Sequence, residues 1–149
     1  MIELVITLAI MGVLASVALP LAEVAVQRSK EQQLRAALRE IREAIDAYKQ
    51  AVDEQRIARA SDQSGYPPTL RVLVDGAVDT KDPRGGKLYF LRRIPRDPMA
   101  DDPEQPAEQS WAKRSFASPP DDPREGTDVF DVFSRSTRIG LDNVPYRLW

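Results

Sequence analysis

The chain has 149 residues, enough for one domain of ordinary size, and it contains neither cysteine nor histidine. The missing cysteines exclude a disulfide framework, thiol catalysis and thiolate zinc sites, and the missing histidines remove the commonest general base. A formal charge of −2 gives no basic excess for binding a phosphate backbone, so the composition predicts no nucleic-acid partner. We therefore expect a protein that is not an enzyme, in which any metal ion would be a hard cation bound by oxygen atoms.

An apolar block, residues 1–26, opens the chain and is its first predicted segment. Glu3 and Glu23 are the charged residues in it, and the 19 residues from Leu4 to Ala22 carry no charge. A helix of that length reaches roughly 28 Å, close to the thickness of a bilayer core, which predicts a transmembrane helix. The first basic residue, Arg28, follows the block. This order differs from that of a secretory signal peptide and does not favour a cytoplasmic N-terminus.

Three residues of the block need a physical explanation. Glu3 lies at its edge; a charge at the bilayer centre costs about 2.5–3.5 kcal/mol, so Glu3 either lies among headgroups or pairs with a cation on another subunit. Pro20 removes one helical hydrogen bond and crowds the carbonyl of Ser16. Together with Gly12 it predicts a stretch that can bend or unwind, the alternative being an ordinary kink tolerated in membranes.

The order of these residues carries a resemblance to a known family. The segment MIELVITLAIMGVLA at residues 1–15, followed by Pro20, resembles the N-terminus of type IV pilins and pseudopilins. Together with the three stretches described below, the resemblance is closest to the major type II secretion pseudopilins. Glu3 takes the position of the family's glutamate, and Pro20 that of its helix-breaking proline. In the family a prepilin peptidase removes a short basic leader, and the mature chain would begin with a Phe two residues ahead of Met1. Processing of this chain therefore requires that the leader and that Phe precede Met1.

The second predicted segment, residues 27–60, has no Gly or Pro and is rich in helix-forming residues. Apolar residues recur at spacings of four and three, which places them on one face of a helix. We predict one helix from about residue 2 to 58, amphipathic in its second half, with Glu31 and Arg35 as an i,i+4 ion pair. The apolar stripe that we expect to face the core consists of Leu34, Leu38, Ile41, Ile45, Tyr48 and Val52.

The third predicted segment, residues 61–149, is a globular, loop-rich β domain. It contains 11 of the 12 Pro and six of the seven Gly. Its first five residues, Ser61 to Gly65, predict the end of the long helix. Thr69 is a candidate cap for a short second helix that ends at Gly76.

Two stretches of this segment, residues 111–116 and 129–134, have strand character, and residues 88–94 form either a short strand or a helical turn. Pro95 to Pro123 has seven Pro in 29 residues and is expected to be mostly loop. The expected fold class is α+β. A long N-terminal helix packs on a small antiparallel β-sheet with long Pro-rich loops, and aromatic residues cover the apolar stripe.

Three short stretches extend the resemblance, in the order that the major pseudopilins have. Tyr66 to Leu70 resembles the family's Tyr-Pro-Thr turn after the long helix. Residues 91–98 resemble its Leu-Pro-x-Asp-Pro-Trp segment, with Met99 at the Trp position. Residues 130–134 resemble its Phe-Asp-Ile/Val-Tyr-Ser strand.

The resemblance also implies a calcium site near the loop that follows the last of these strands. The candidate ligands are Asp128, Asp131 and Asp142. Calcium takes six to eight oxygen atoms, and Arg135 and Arg138 in the same loop would repel it. The alternative is that these acids pair with neighbouring arginines.

The function that the resemblance implies is that of a structural subunit of a helical pseudopilus or pilus, which supports protein export by type II secretion. The subunit would be held in the bacterial inner membrane by a single pass and then assemble into a periplasmic or surface filament. Glu3 would pair with the N-terminal amine of a neighbouring copy, Gly12 would allow close approach of helices, and Pro20 would let the helix melt locally.

The implied partners are further copies of the chain, the inner-membrane assembly platform, minor pseudopilins and the prepilin peptidase. Two alternatives remain open at this point. One is an adhesive type IV pilus subunit, and the other is a monomeric, membrane-anchored periplasmic binding module.

Overall fold

One long helix, α1, dominates the fold and runs from Ile2 to Asp53. A computed structural model describes the backbone of residues 1–149 and all side chains except those of residues 17 and 19. The remaining elements are short, and those at Arg71–Asp75 and Asp131–Ser134 pack directly against α1. The predicted α+β class is confirmed at this level: a long N-terminal helix accompanied by small antiparallel sheets.

The short elements follow in chain order. Their bounds are α2 Arg71–Asp75, β1 Ala77–Val78, β2 Lys87–Leu88, α3 Ala107–Ser110, β3 Trp111–Arg114, β4 Asp131–Ser134 and a 3₁₀ turn at Tyr146–Leu148. The single sheet of the sequence-based prediction is wrong, because β1–β2 and β3–β4 form two separate antiparallel pairs. In the second pair the register aligns Trp111 with Ser134 and Arg114 with Asp131. The expected strands at 111–116 and 129–134 are confirmed, in shorter form.

The core lies between the second half of α1 and the β3–β4 pair. The predicted apolar stripe is confirmed, since all six of its side chains are buried. Trp111 and Tyr146 are buried in the same cluster, which confirms that aromatic residues cover the stripe. The indole nitrogen of Trp111 donates to the carbonyl of Pro95 at 2.8 Å, so that its one polar atom is satisfied in the core.

Helix α1 ends at Asp53, five residues before the predicted end and well before the expected stop at Ser61 to Gly65. Gln55 has a φ of 60°, its amide donates to the carbonyl of Val52, and the amide of Arg56 donates to that of Ala51. This bonding pattern is a Schellman motif, whose left-handed position is usually glycine. Because glutamine occupies that position here, the sequence carried no signal for the stop.

The cap predicted for α2 is wrong at one end and confirmed at the other. Leu70 is the N-cap residue, and no side chain caps the helix. Leu70 is fully buried while Thr69 is exposed, so that burial of the leucine, not a hydroxyl cap, positions the start. Gly76 ends the helix with a φ of 78°, as predicted.

Candidate assembly surface

The first half of α1 is an apolar surface that the chain itself leaves uncovered. All its described side chains up to residue 26 are exposed, and from residue 2 onward they include twelve large apolar ones. Each costs about 1.5–3 kcal/mol in water relative to burial, or roughly 20 kcal/mol together, which exceeds the stability of a typical domain. The helix is also long and apolar enough to cross a membrane. Either lipid or other protein must therefore cover this surface.

Glu3 and Gly12 both lie on this uncovered half. Glu3 is exposed and forms no ion pair with any side chain that the structure describes, and its carbonyl accepts a bond from the Thr7 hydroxyl at 2.6 Å. A Cβ atom added to Gly12 would meet nothing within 4 Å, so nothing inside this chain requires glycine there. The two residues are about 13 Å apart along the helix axis and do not form a joint site within one chain.

Pro20 lies inside the helix, which continues through it without interruption. Since proline has no amide hydrogen, the carbonyl of Ser16 loses its usual partner. The Ser16 hydroxyl donates back to the carbonyl of Val13 at 2.7 Å. The single chain therefore has no unwound stretch at Pro20, and local melting there remains a prediction about the assembling state.

The exposed and packed halves of α1 meet at the buried carboxylate of Glu31. The predicted ion pair of Glu31 with Arg35 is wrong. Instead, one of the carboxylate oxygens accepts bonds from the Tyr146 hydroxyl at 2.9 Å, the Leu141 amide at 2.8 Å and the Gln27 side chain at 3.3 Å. The sequence spacing does indicate that Glu31 is buried, because it lies three residues before the first member of the apolar stripe, on the same helical face.

The arginines of α1 bind the C-terminal segment instead. Arg35 pairs with Asp142 at 3.0 Å, and its guanidinium lies 4.2 Å from the ring centroid of Trp149. Arg42 donates to Asp131 at 2.8 Å and to the backbone oxygen of Trp149 at 2.9 Å. These contacts fix the C-terminal segment along the second half of α1.

The three acids implied as calcium ligands each have their own partners. Asp131 and Asp142 form the arginine pairs just described, but their partners are the distant Arg42 and Arg35 of α1 and not the neighbouring Arg135 and Arg138. Asp128 accepts bonds from the Ser64 hydroxyl and, at 2.9 Å, from the Phe116 amide. Among the described side chains no three acids are grouped so that they could hold a metal ion. A calcium ion at these residues would therefore have to displace Arg35 and Arg42.

Burial of Asp128 raises the pKa of its carboxyl, but hydrogen bonds from Ser64, the Phe116 amide and Ser115 outweigh that effect. The pKa of Asp128 is consequently held below its ordinary value. This carboxylate is thus a structural acceptor that joins three loops, the ones that contain Ser64, Phe116 and Asp128 itself.

The three stretches that extend the family resemblance meet around β4. The carbonyl of Pro67, in the first stretch, accepts a bond from the Val129 amide at 2.8 Å. The buried carboxylate of Asp97, in the second, accepts from the Ser134 hydroxyl at 2.6 Å and from the Met99 amide at 2.8 Å. Segments far apart in the sequence therefore contact one another around β4. The contacts explain why an acid is found at residue 97 and a hydroxyl at residue 134.

No protein-family model matches the chain, and no match was found among curated protein sequences or among solved structures.

Proposed function

We propose that this chain is a subunit of a helical filament of the pseudopilus type, held in the bacterial inner membrane by the first half of α1 before assembly. The uncovered apolar half of a 52-residue helix carries the proposal. Its second half is packed against the globular part, so the two halves of one continuous helix have different surroundings. Such a subunit would take part in protein export by type II secretion, with its periplasmic part outermost in the filament.

Transfer from lipid into a bundle of identical helices gains little hydrophobic free energy, because lipid tails are as apolar as leucine. Assembly must then depend on close packing and on polar pairing. Gly12, with Ala9 and Ser16 on the same helical face, supplies a narrow surface for close packing. The carboxylate of Glu3 supplies the polar pairing, since a cation from a neighbouring copy reaches it in one axial register only. Because that relation is head-to-tail, it extends into a filament.

The test replaces the carboxylate and measures membrane insertion and filament yield separately. We expect Glu3→Ala and Glu3→Gln to remain in the membrane fraction but to yield few or no filaments. Glu23→Gln is the matched control, because Glu23 is the other acid of the first 26 residues and is also exposed. Normal filament yield from both Glu3 variants would exclude the pairing role.

A second measurement tests the processing that the family resemblance implies. Intact mass and the N-terminal peptide are determined for the native protein taken from its own membranes. An N-methylated Phe two residues ahead of Met1 is the expected start. A native chain that starts at Met1 would contradict prepilin processing and favour a membrane-anchored binding module.

A further inference from the structure

Beside the uncovered half of α1 lies an apolar rim contributed by the C-terminal segment. Ile139 is 58% exposed and lines an open groove together with Ala22, Val26 and Lys30 of α1. Leu141 is 41% exposed and is held at the same level of the helix by its bond to Glu31. The rim therefore continues the apolar surface of the helix sideways onto the globular part.

The length of α1 places this rim at a membrane surface, if the first half of the helix spans a bilayer as the proposed function requires. Residues 2–21 cover about 30 Å, the thickness of a hydrocarbon core. Residues 22–26 add about 8 Å more, which is the depth of a headgroup layer. Gln27 already bonds to Tyr146 of the globular part. No spacer therefore separates the globular part from the lipid surface.

The charges at this level suit an anionic surface. Arg28 and Lys30 are exposed on α1, Arg138 is exposed beside Ile139, and none of the three forms an ion pair with the described side chains. Glu23 is the opposing exposed charge in the groove. Apolar side chains flanked by basic ones are typical of segments that lie in the interface of membranes with anionic lipids.

We infer that the rim of Ile139 and Leu141, with Lys30 and Arg138 beside it and Arg28 at the same level on the opposite face of α1, rests in the headgroup region of an anionic bilayer while the subunit awaits assembly. The inference rests on the proposed membrane anchoring and adds a second, interfacial contact to it. That contact would hold the globular part in one orientation on the membrane, so that copies meet with their helices already aligned.

The test uses the full chain reconstituted into vesicles of phosphatidylcholine with phosphatidylglycerol. Because the chain has no cysteine, a single introduced cysteine gives one defined site for an attached fluorophore, which is excited apart from the tryptophans. Ile139→Cys probes the rim. Val78→Cys is the matched control, since Val78 is 56% exposed and lies in β1, two residues before Thr80, whose amide donates to the carbonyl of Arg56 beyond the far end of α1. Leu14→Cys reports on the span itself.

We expect nitroxide lipids labelled in the headgroup region to quench the fluorophore at 139 and to leave that at 78 unquenched. Lys30→Gln, or vesicles of phosphatidylcholine alone, should lower the quenching at 139. Equal quenching at 139 in both lipids would contradict a role for anionic headgroups.

The outcomes separate the inference from the function on which it rests. If the label at 14 is quenched by nitroxides deep in the bilayer but the label at 139 is not quenched, the rim does not touch lipid and the inference is wrong, while the anchoring stands. If the label at 14 is also unquenched, the membrane span is wrong and the proposed function fails with it. If the label at 139 is unquenched at high protein density and stays unquenched when the chains are diluted in lipid, the inference is overturned. Quenching that appears only on dilution would show that the rim lies at the lipid before copies assemble and is covered by a second copy afterwards.

Discussion

Glu31 shows how one buried side chain can connect the two parts of the molecule. A single carboxylate oxygen accepts all three of its hydrogen bonds, from Gln27, Leu141 and Tyr146. An amide oxygen in the same place could accept the same bonds, whereas alanine would leave the Leu141 amide and the Tyr146 hydroxyl without a partner. The geometry of the acceptor thus matters more here than its charge.

Replacement of Glu31 should therefore depend strongly on the residue introduced. We expect Glu31→Ala to lower the free energy of unfolding by about 2–3 kcal/mol and Glu31→Gln by less than about 1 kcal/mol. Urea unfolding in detergent, followed by the fluorescence of Trp111 and Trp149, measures both. Equal losses for the two variants would mean that the charge of Glu31, and not its oxygen atom, stabilises the C-terminal segment.

Asp128 predicts a pH dependence with a definite sign. Its pKa in the folded chain lies below the ordinary value of about 3.9 that it has when unfolded. The unfolded chain therefore binds a proton more readily, and the stabilisation from Asp128 is complete above that value and is lost as the pH falls through the folded pKa. Asp128→Asn should cost stability at pH about 7, and the difference from the native chain should shrink at pH about 3. Asp121→Asn, at an exposed residue, is the control and should give no such difference.

At the scale of single elements, the end of α1 is set by tertiary contacts and not by local helix propensity. The stretch Gln55-Arg56-Ile57 has good helix propensity, and no glycine stops it before Gly65. The helix nevertheless ends because Ile57 is buried in the core and Arg56 pairs with Asp79. That pairing with Arg56 also lowers the pKa of Asp79. Neither contact can be read from the local sequence, whereas the apolar stripe could be, since its spacing is a property of α1 alone.

The left-handed position of Gln55 gives a test of this account. We expect Gln55→Gly to raise the free energy of unfolding by about 0.5–1 kcal/mol, because glycine adopts that backbone conformation without steric cost. Ala47→Gly, at an exposed position inside the helix, should lower the stability by about 1 kcal/mol. Denaturant unfolding of both variants measures the two effects. A loss of stability in both would argue against the Schellman end at Gln55.

At the scale of the whole molecule, the sequence identifies the residues of the candidate assembly surface, and the structure identifies which distant segments contact one another. The apolar block, Glu3, Gly12 and Pro20 were all identified from the sequence, because they depend on position along one helix. What Glu3 contacts could not be found in either, since its expected partner belongs to another copy of the chain. The stretches around β4 that resemble the major pseudopilins are far apart in the sequence, and the structure joins two of them through the hydrogen bond from Ser134 to Asp97.

Head-to-tail assembly makes a prediction that a monomeric anchor and a closed dimer do not share. The chain has no cysteine, so pairs can be introduced freely in the exposed half of α1, with Leu4→Cys combined in turn with Leu8→Cys, Met11→Cys or Leu14→Cys. In a filament each copy contacts two neighbours through different surfaces, so oxidation in native membranes should convert at least one pair into a ladder of oligomers, while single cysteines stop at dimers. A two-fold dimer would stop at dimers for every pair. A binding module that remains monomeric would form no cross-links. That result would contradict the filament proposal and favour the membrane-anchored binding module.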